Sequence, residues 1–254
     1  MAKHVTLSLG GTQLLGGVDL DVRPGEVTAV LGPNGAGKTS LLRLLSGELP
    51  PDSGEVTLDD EGLHDLAHAA RARRLAVLPQ HSVLNFPFTA EEVAALGRTP
   101  HATGVAADRR IVASALAAVD LEHLASREYT RLSGGEKQRV QLARVLAQIW
   151  GEAPGDTRYL LLDEPTASFD LAHQRMTLEI VRRLAGEGVG VLIVLHDLNL
   201  AARCADQLVL LHGGAVAFSG PPVDVLTVES IRAVFDVDAT IGRHPASGGP
   251  LVIT

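Results

Sequence analysis

The stretch Gly32-Pro33-Asn34-Gly35-Ala36-Gly37-Lys38-Thr39-Ser40 fits the pattern G-x-x-x-x-G-K-[ST] of a phosphate-cradling loop. The residues before it, Val27-Thr28-Ala29-Val30-Leu31, read as a short buried strand, and Ser40 to Ser46 read as the start of a helix. A phosphate loop requires that strand–loop–helix context. Its glycines let the backbone approach the phosphates, its N–H groups point inward, and the helix N-terminus adds its dipole. Lys38 places a point charge on the β- and γ-phosphates, and the Thr39 hydroxyl is a ligand for Mg²⁺. The plain alternative is a glycine-rich turn that binds nothing, and both flanks argue against it. The loop predicts a nucleoside triphosphate but not what its energy is used for.

The chain has 254 residues, 46% hydrophobic and 20% charged, which places it among globular proteins with a substantial core. The longest apolar run, near Val189 to Leu195, is far too short to span a bilayer. The N-terminus lacks the pattern of a signal peptide. Cys204 is the single cysteine, so no internal disulfide framework is expected, and together these features favour the cytoplasm. A net charge of −8 with no basic tract, and only 3% aromatics, argue against a nucleic-acid partner.

In chain order, Val5, Leu7 and Leu9 alternate with polar residues as a half-buried strand does, and Gly10-Gly11 marks a hairpin turn. Leu14-Leu15 and Val18 to Val22 read as further strand, so the start of the chain is an antiparallel β region. Glu55 to Leu58 and Leu75 to Leu78 are short strands, with a basic helical segment, Ala67 to Arg74, between them. From His81 to about Trp150, alanine, leucine and charged residues at helical spacing predict an inserted helical portion. The α/β alternation resumes at Tyr159 and continues to a hairpin about His212-Gly213-Gly214. Strands alternating with helices imply a mainly parallel sheet. The expected division is one α/β domain, with 1–82 and 155–254 as nucleotide-binding core and 83–154 as helical subdomain. Loops are expected at Gly151 to Asp156 and Pro245 to Pro250.

The apolar run Tyr159-Leu160-Leu161-Leu162 ends in Asp163-Glu164, at the strand end where ligands sit in parallel sheets. Asp163 reads as a Mg²⁺ holder through water, and Glu164 as the general base for an attacking water. Leu132-Ser133-Gly134-Gly135-Glu136-Lys137-Gln138-Arg139 is a second anion site: Ser133 caps a helix beginning near Glu136, and the glycines leave backbone N–H groups open to a phosphate. An ordinary capping box of Ser133 and Glu136 is the plain alternative.

The stretch Leu132 to Gln138 resembles the signature sequence of the ATP-binding cassette (ABC) ATPases. The order phosphate loop, Gln80, signature, Asp163-Glu164, Ser168-Phe169-Asp170, His196 is similar to that family throughout. The resemblance implies the ABC-type fold of the P-loop NTPases, ATP and Mg²⁺ as ligands, and a head-to-tail homodimer. Each ATP would then lie between one subunit's phosphate loop and the other's Ser133-Gly134-Gly135. It further implies that Gln80 contacts Mg²⁺ or the lytic water, that His196 contacts the γ-phosphate and positions Glu164, and that Asp170 joins the two sites. A strand end, a buried histidine and a helix cap are the plain readings of these three. Relatives often carry an adenine-stacking aromatic near Leu9, where this chain is aliphatic. Many have leucine where it has Phe169.

Phe86-Pro87-Phe88-Thr89, Ala95 to His101, Asp170 to Gln174, and Leu195-His196-Asp197-Leu198-Asn199 resemble the ATPases of iron-complex and vitamin B12 importers, most closely the haemin-import group. The implied role is ATP hydrolysis driving haemin import, with ferric siderophore or vitamin B12 as the alternative substrates. The implied partners are a membrane permease dimer and a periplasmic or surface substrate-binding protein, with the chain on the cytoplasmic face of the bacterial inner membrane. A non-transport ABC ATPase of DNA repair or translation, and a phosphate-loop kinase, are the competing classes. The former typically carries coiled coils, zinc motifs or tandem cassettes, and the latter has no Ser-Gly-Gly signature. Of the ten histidines, His64 and His68 are spaced to share a helical face. Direct haem binding is not expected, since no second-shell partner accompanies them.

Overall fold

The computed structural model describes residues 1–80, 84–151, 157–167 and 169–254. An antiparallel hairpin comes first, β1 (Ala2–Leu9) and β2 (Thr12–Leu20), turned at Gly10-Gly11. Val5 and Leu7 are buried while His4 and Ser8 are exposed, as the period of two requires, but Leu9 is open to solvent at the strand's end. The two segments Leu14-Leu15 and Val18 to Leu20 belong to one continuous strand. β3 (Val27–Leu31) is buried along its whole length. α1 (Lys38–Leu45) starts two residues earlier than the sequence suggests, because Gly37, in the left-handed region at φ 102°, serves as its N-cap.

β4 (Ser53–Leu58) and the short β5 (Glu61–Gly62) complete a four-stranded sheet in the order β2-β1-β4-β5. α2 (His68–Arg74) leads into β6 (Leu75–Leu78). His64 lies in the turn before α2, so the helical face shared by His64 and His68 does not exist; His68 Nδ1 instead lies 3.3 Å from Arg71 Nη2. Three helices follow: α3 (Ala90–Ala95), α4 (Val105–Ala118) and α5 (Gly134–Ile149). Then come β7 (Tyr159–Asp163), α6 (Leu171–Gly186), β8 (Gly190–Val194), α7 (Leu198–Cys204) and the antiparallel pair β9 (Gln207–His212) and β10 (Ala215–Gly220). α8 (Pro222–Val225), α9 (Val228–Phe235) and a hairpin of β11 (Thr240–Arg243) with β12 (Pro250–Ile253) come last.

The second sheet has six strands in the order β10-β9-β3-β8-β7-β6, all parallel except the edge strand β10, which runs antiparallel to β9. Its central strands β3, β7 and β8 are buried along their whole length, and their alternate residues feed two separate cores. Val27, Ala29, Leu31, Leu160, Leu162, Val191 and Ile193 join the core with α5 and α6, whereas Val30, Leu161, Leu192 and Val194 join α1 and the antiparallel sheet. Near-continuous Val/Ile/Leu runs are what such doubly covered parallel strands need. The expected edges of the helical portion, at 82–83 and 154–155, and most of the Gly151 to Asp156 loop lie outside the described residues.

α3, α4 and α5 pack on one another through Ala90, Val93, Val112, Leu116, Val140 and Leu146, all buried. Arg98 is buried among them at 5% exposure, and each of its three nitrogens donates. It donates to Asp108 Oδ1 at 2.8 Å, to Ala147 O at 2.7 Å, to Trp150 O at 3.0 Å and to Thr103 Oγ1 at 3.0 Å. A buried guanidinium is tolerated when its donors are satisfied in this way. Among the described residues no helix is long and apolar enough to cross a membrane.

Candidate active site

Three adjacent parallel strands end at one edge of the six-stranded sheet and deliver the predicted residues there. β3 runs into the Gly32–Lys38 loop, β7 ends at Asp163, and β8 runs on to His196. The last rungs of the ladder reach the site itself: Leu195 N donates to Val30 O at 3.1 Å, and Glu164 N donates to Val194 O at 3.2 Å. β6 adds Gln80 from the neighbouring position.

The loop is wedged between the two sheets. A Cβ at Gly37 would stand 2.9 Å from both Leu14 O and Leu15 Cδ2, and one at Gly32 would stand 2.3 Å from Leu211 O. At Gly35 a Cβ would meet nothing within 4 Å, so the loop is tight on its protein side and open on the other. Lys38 is 7% exposed, and its Nζ donates to Gly32 O at 2.7 Å and to Pro33 O at 2.9 Å. Burial lowers its pKa, while Glu164 and Asp163 pull it back up.

Asp163 is 2% exposed, and its Oδ1 has no hydrogen-bond partner. Burial pushes its pKa above the ordinary carboxylate range. The Thr39 hydroxyl draws it down, the Glu164 carboxylate raises it, and Lys38 opposes that. An orphaned buried oxygen on a carboxyl group that also meets the Thr39 hydroxyl suits a hard cation with oxygen ligands, so Asp163 and Thr39 fit Mg²⁺ or its bound water.

Glu164 follows in the left-handed region, at φ 49°. A non-glycine residue held there costs of order 1–3 kcal/mol and concentrates at functional sites. Both its carboxylate oxygens are engaged: Gln80 Nε2 donates to Oε2 at 2.8 Å, and His196 Nε2 lies 2.5 Å from Oε1. Thus Lys38, Thr39, Asp163, Glu164, Gln80 and His196 gather in one chain, as the ordered motifs predict.

Two predicted elements stand apart from that cluster. Ser133 caps α5: its Oγ accepts from Glu136 N at 3.3 Å, and Glu136 Oε2 accepts from Ser133 N at 2.7 Å. Within the chain the plain capping-box reading therefore holds, and Ser133 and Gly134 are left exposed. Asp170 likewise caps α6, its Oδ1 accepting from His173 N at 2.9 Å; Ser168 lies outside the described residues. Gln138 Nε2 donates to Pro165 O at 3.2 Å, which links the second turn of α5 to the segment after Glu164. Tyr129 and Tyr159 are buried at 2% and 8% exposure, so neither substitutes for an aromatic near Leu9. Asn199, quoted above only within a resembling stretch, is tied to Val252 in β12. Its amide three residues after His196 is the signal that points to it.

Phe86 and Phe88 are exposed at 65% and 39%, with ring centroids 6.0 Å apart. Cys204 is buried, and burial pushes its thiol up to about 12.

The pattern of the ABC transporter family matches residues 15–167. The hemin import ATP-binding protein HmuV of Pseudomonas aeruginosa is 52% identical over 251 residues, covering 99% of this chain and 98% of that protein. The protein of the same name from Myxococcus xanthus is 53% identical over 246 residues, covering 96% and 92%. Among solved structures, the ATP binding subunit of an ABC transporter aligns at a TM-score of 0.80 and 27% identity, covering 92% of this chain and 95% of that one. A metal-chelate type ABC transporter in an inward-facing conformation aligns at 0.78 and 28%, covering 99% and 95%. The matched pattern spans more than half of the sequence and the curated relatives run along nearly all of it, so the chain belongs to the ABC transporter family as an ATP-binding subunit.

Proposed function

We propose that the chain hydrolyses ATP in a head-to-tail homodimer docked on a membrane permease, and that the transport it drives is haemin import. The observation that carries the catalytic reading is the Glu164 carboxylate, held between Gln80 and His196 beside Asp163, Thr39 and Lys38. The names of relatives about half identical along the whole chain support haemin as substrate. Mg·ATP, when bound, supplies the scissile phosphoryl group and the charge that binds it.

The residues divide the work by chemistry. Backbone N–H groups of the Gly32–Lys38 loop and the N-terminus of α1 take the phosphates, and the Lys38 ammonium adds its charge. Asp163 and Thr39 hold the metal side. Glu164 accepts the proton of the attacking water, and its 2.5 Å contact with His196 fixes the direction in which it does so. Gln80 touches the same carboxylate, so a displacement of the segment that follows it reaches the base directly. The exposed Phe86–Phe88 pair lies in that following stretch and is the face offered to the permease at the cytoplasmic side of the inner membrane. The exposed Ser133 and Gly134 close over nucleotide held by the second subunit. A substrate-binding protein outside the membrane completes the complex, and haemin passes through the membrane subunits without binding this chain.

The test is growth of a deletion strain on haemin, ferric siderophore or cobalamin. Growth lost on haemin alone and restored by this chain is the expected result. Loss on siderophore iron or cobalamin, with growth on haemin intact, would replace the substrate assignment.

A further inference from the structure

The β11–β12 hairpin is tied to α7 by the Asn199 side chain. Asn199, in the first turn of α7, donates from Nδ2 to Val252 O at 3.0 Å and accepts at Oδ1 from Val252 N at 2.8 Å. Val252 pairs with Ile241 across the β11–β12 hairpin. Its own N–H and C=O are turned outward, and the Asn199 amide meets both as a neighbouring strand would. Val252 is 7% exposed and belongs to the main core, so that end of the contact is fixed.

The other end leads to His196. Asp197 caps α7, its Oδ1 accepting from Asn199 N at 2.8 Å and Leu200 N at 3.0 Å. Leu195 on the other side is pinned to Val30 O. The backbone carrying His196 is therefore fastened at Leu195, Asp197 and Asn199. The ring itself is half exposed, and among the described residues Glu164 is its one polar contact. Its aim is set by the backbone on which it stands.

We propose that Asn199 is a positioning residue for ATP hydrolysis: by fastening α7 to β12 it sets the placement of His196 against Glu164. The proposal rests on the reading of His196 and Glu164 given above. The test is steady-state ATP hydrolysis by the full-length chain, combined with a histidine-selective NMR spectrum. Asn199→Ala should lower kcat about tenfold, since small misplacements of reacting groups carry losses of that order. KM for ATP should stay within about twofold, because the phosphate loop is untouched. The His196 imidazole resonance, identified by its loss in His196→Ala, should shift.

In a His196→Ala background, Asn199→Ala should add little further loss, as expected for a residue acting through the histidine. Asn199→Asp keeps the acceptor for Val252 N and loses the donor. It should show a smaller loss with the same split, and it serves if the alanine variant does not fold. An unchanged kcat, an equal loss in both backgrounds, or an unmoved His196 resonance overturns the proposal. If His196→Ala itself leaves kcat unchanged, the site reading fails first. If His196→Ala slows hydrolysis and Asn199→Ala does not, the role of Asn199 alone fails.

Discussion

Asp163→Asn separates what the buried carboxylate costs the fold from what it does for catalysis. Asp163 is 2% exposed, its Oδ1 is unpartnered, and Glu164 repels it. A buried polar atom without a partner costs about 1–3 kcal/mol, and more when charged. Thr39 and Lys38 offset part of that. Asparagine keeps the shape and an acceptor for Thr39 but removes the charge, so about 1–2 kcal/mol of the cost should be relieved. For a chain of this size each kcal/mol moves the melting temperature by roughly 2–4 °C, and the rise in EDTA should be about 2–8 °C.

Adding Mg·ATP should reverse the order. A ligand at 100 times its Kd stabilises the parent by about 2.7 kcal/mol, and the variant should lose most of the magnesium-dependent part of that gain. The assay is differential scanning fluorimetry of both proteins, with EDTA, ATP plus EDTA, and Mg·ATP. A variant that melts below the parent in EDTA, or one that keeps the full Mg·ATP gain, would refute the reasoning.

Glu164→Gln preserves the packing and the contact with Gln80 but removes the proton acceptor; kcat should fall by about 10²–10⁴ with nucleotide binding retained, measured by phosphate release and ATP binding. Gly97→Ala would place a Cβ 2.1 Å from Arg144 O, a backbone atom of α5 that has little room to yield, so urea unfolding should show a loss of about 2–3 kcal/mol. The Cys204 thiol titrates near 12 when folded, above its unfolded value. Its contribution to stability is complete below about pH 8.5, then declines by about 1.4 kcal/mol per pH unit toward 12, and Cys204→Ala should flatten that decline in equilibrium melts. Phe86→Ala with Phe88→Ala should abolish co-purification with the permease while leaving the melting temperature within about 1–2 °C, since exposed side chains contribute little to the fold.

The gathering of Gln80, Asp163, Glu164 and His196 at one sheet edge was legible because these residues sit in fixed local patterns. Val27 to Leu31 and Tyr159 to Asp163 are apolar runs closed by functional residues, and the structure makes both of them buried strands. Boundaries were less legible where caps are unusual. α4 begins at Val105 after Gly104, which offers no side-chain cap, so periodicity alone marks its start only at Arg109. α9 opens on a box of Thr227 and Ser230, with serine where Glu or Gln would announce it. The Asn199–Val252 contact is invisible locally, because it joins positions 53 residues apart. His64 shows the reverse error, a spacing of four that acquires meaning only inside a helix.

The two ladder bonds that end beside the site, Leu195 N to Val30 O and Glu164 N to Val194 O, bear on how the protein can move. These amides are the last rungs of the central strands, so they open when the strand ends part there. Hydrogen exchange at Leu195 and Glu164 should be slow, but faster than at the buried middle of β3 and β8. Turnover must then proceed by displacement of side chains and of the segments beyond the strand ends. The backbone under Glu164 and His196 is the frame on which their side chains turn.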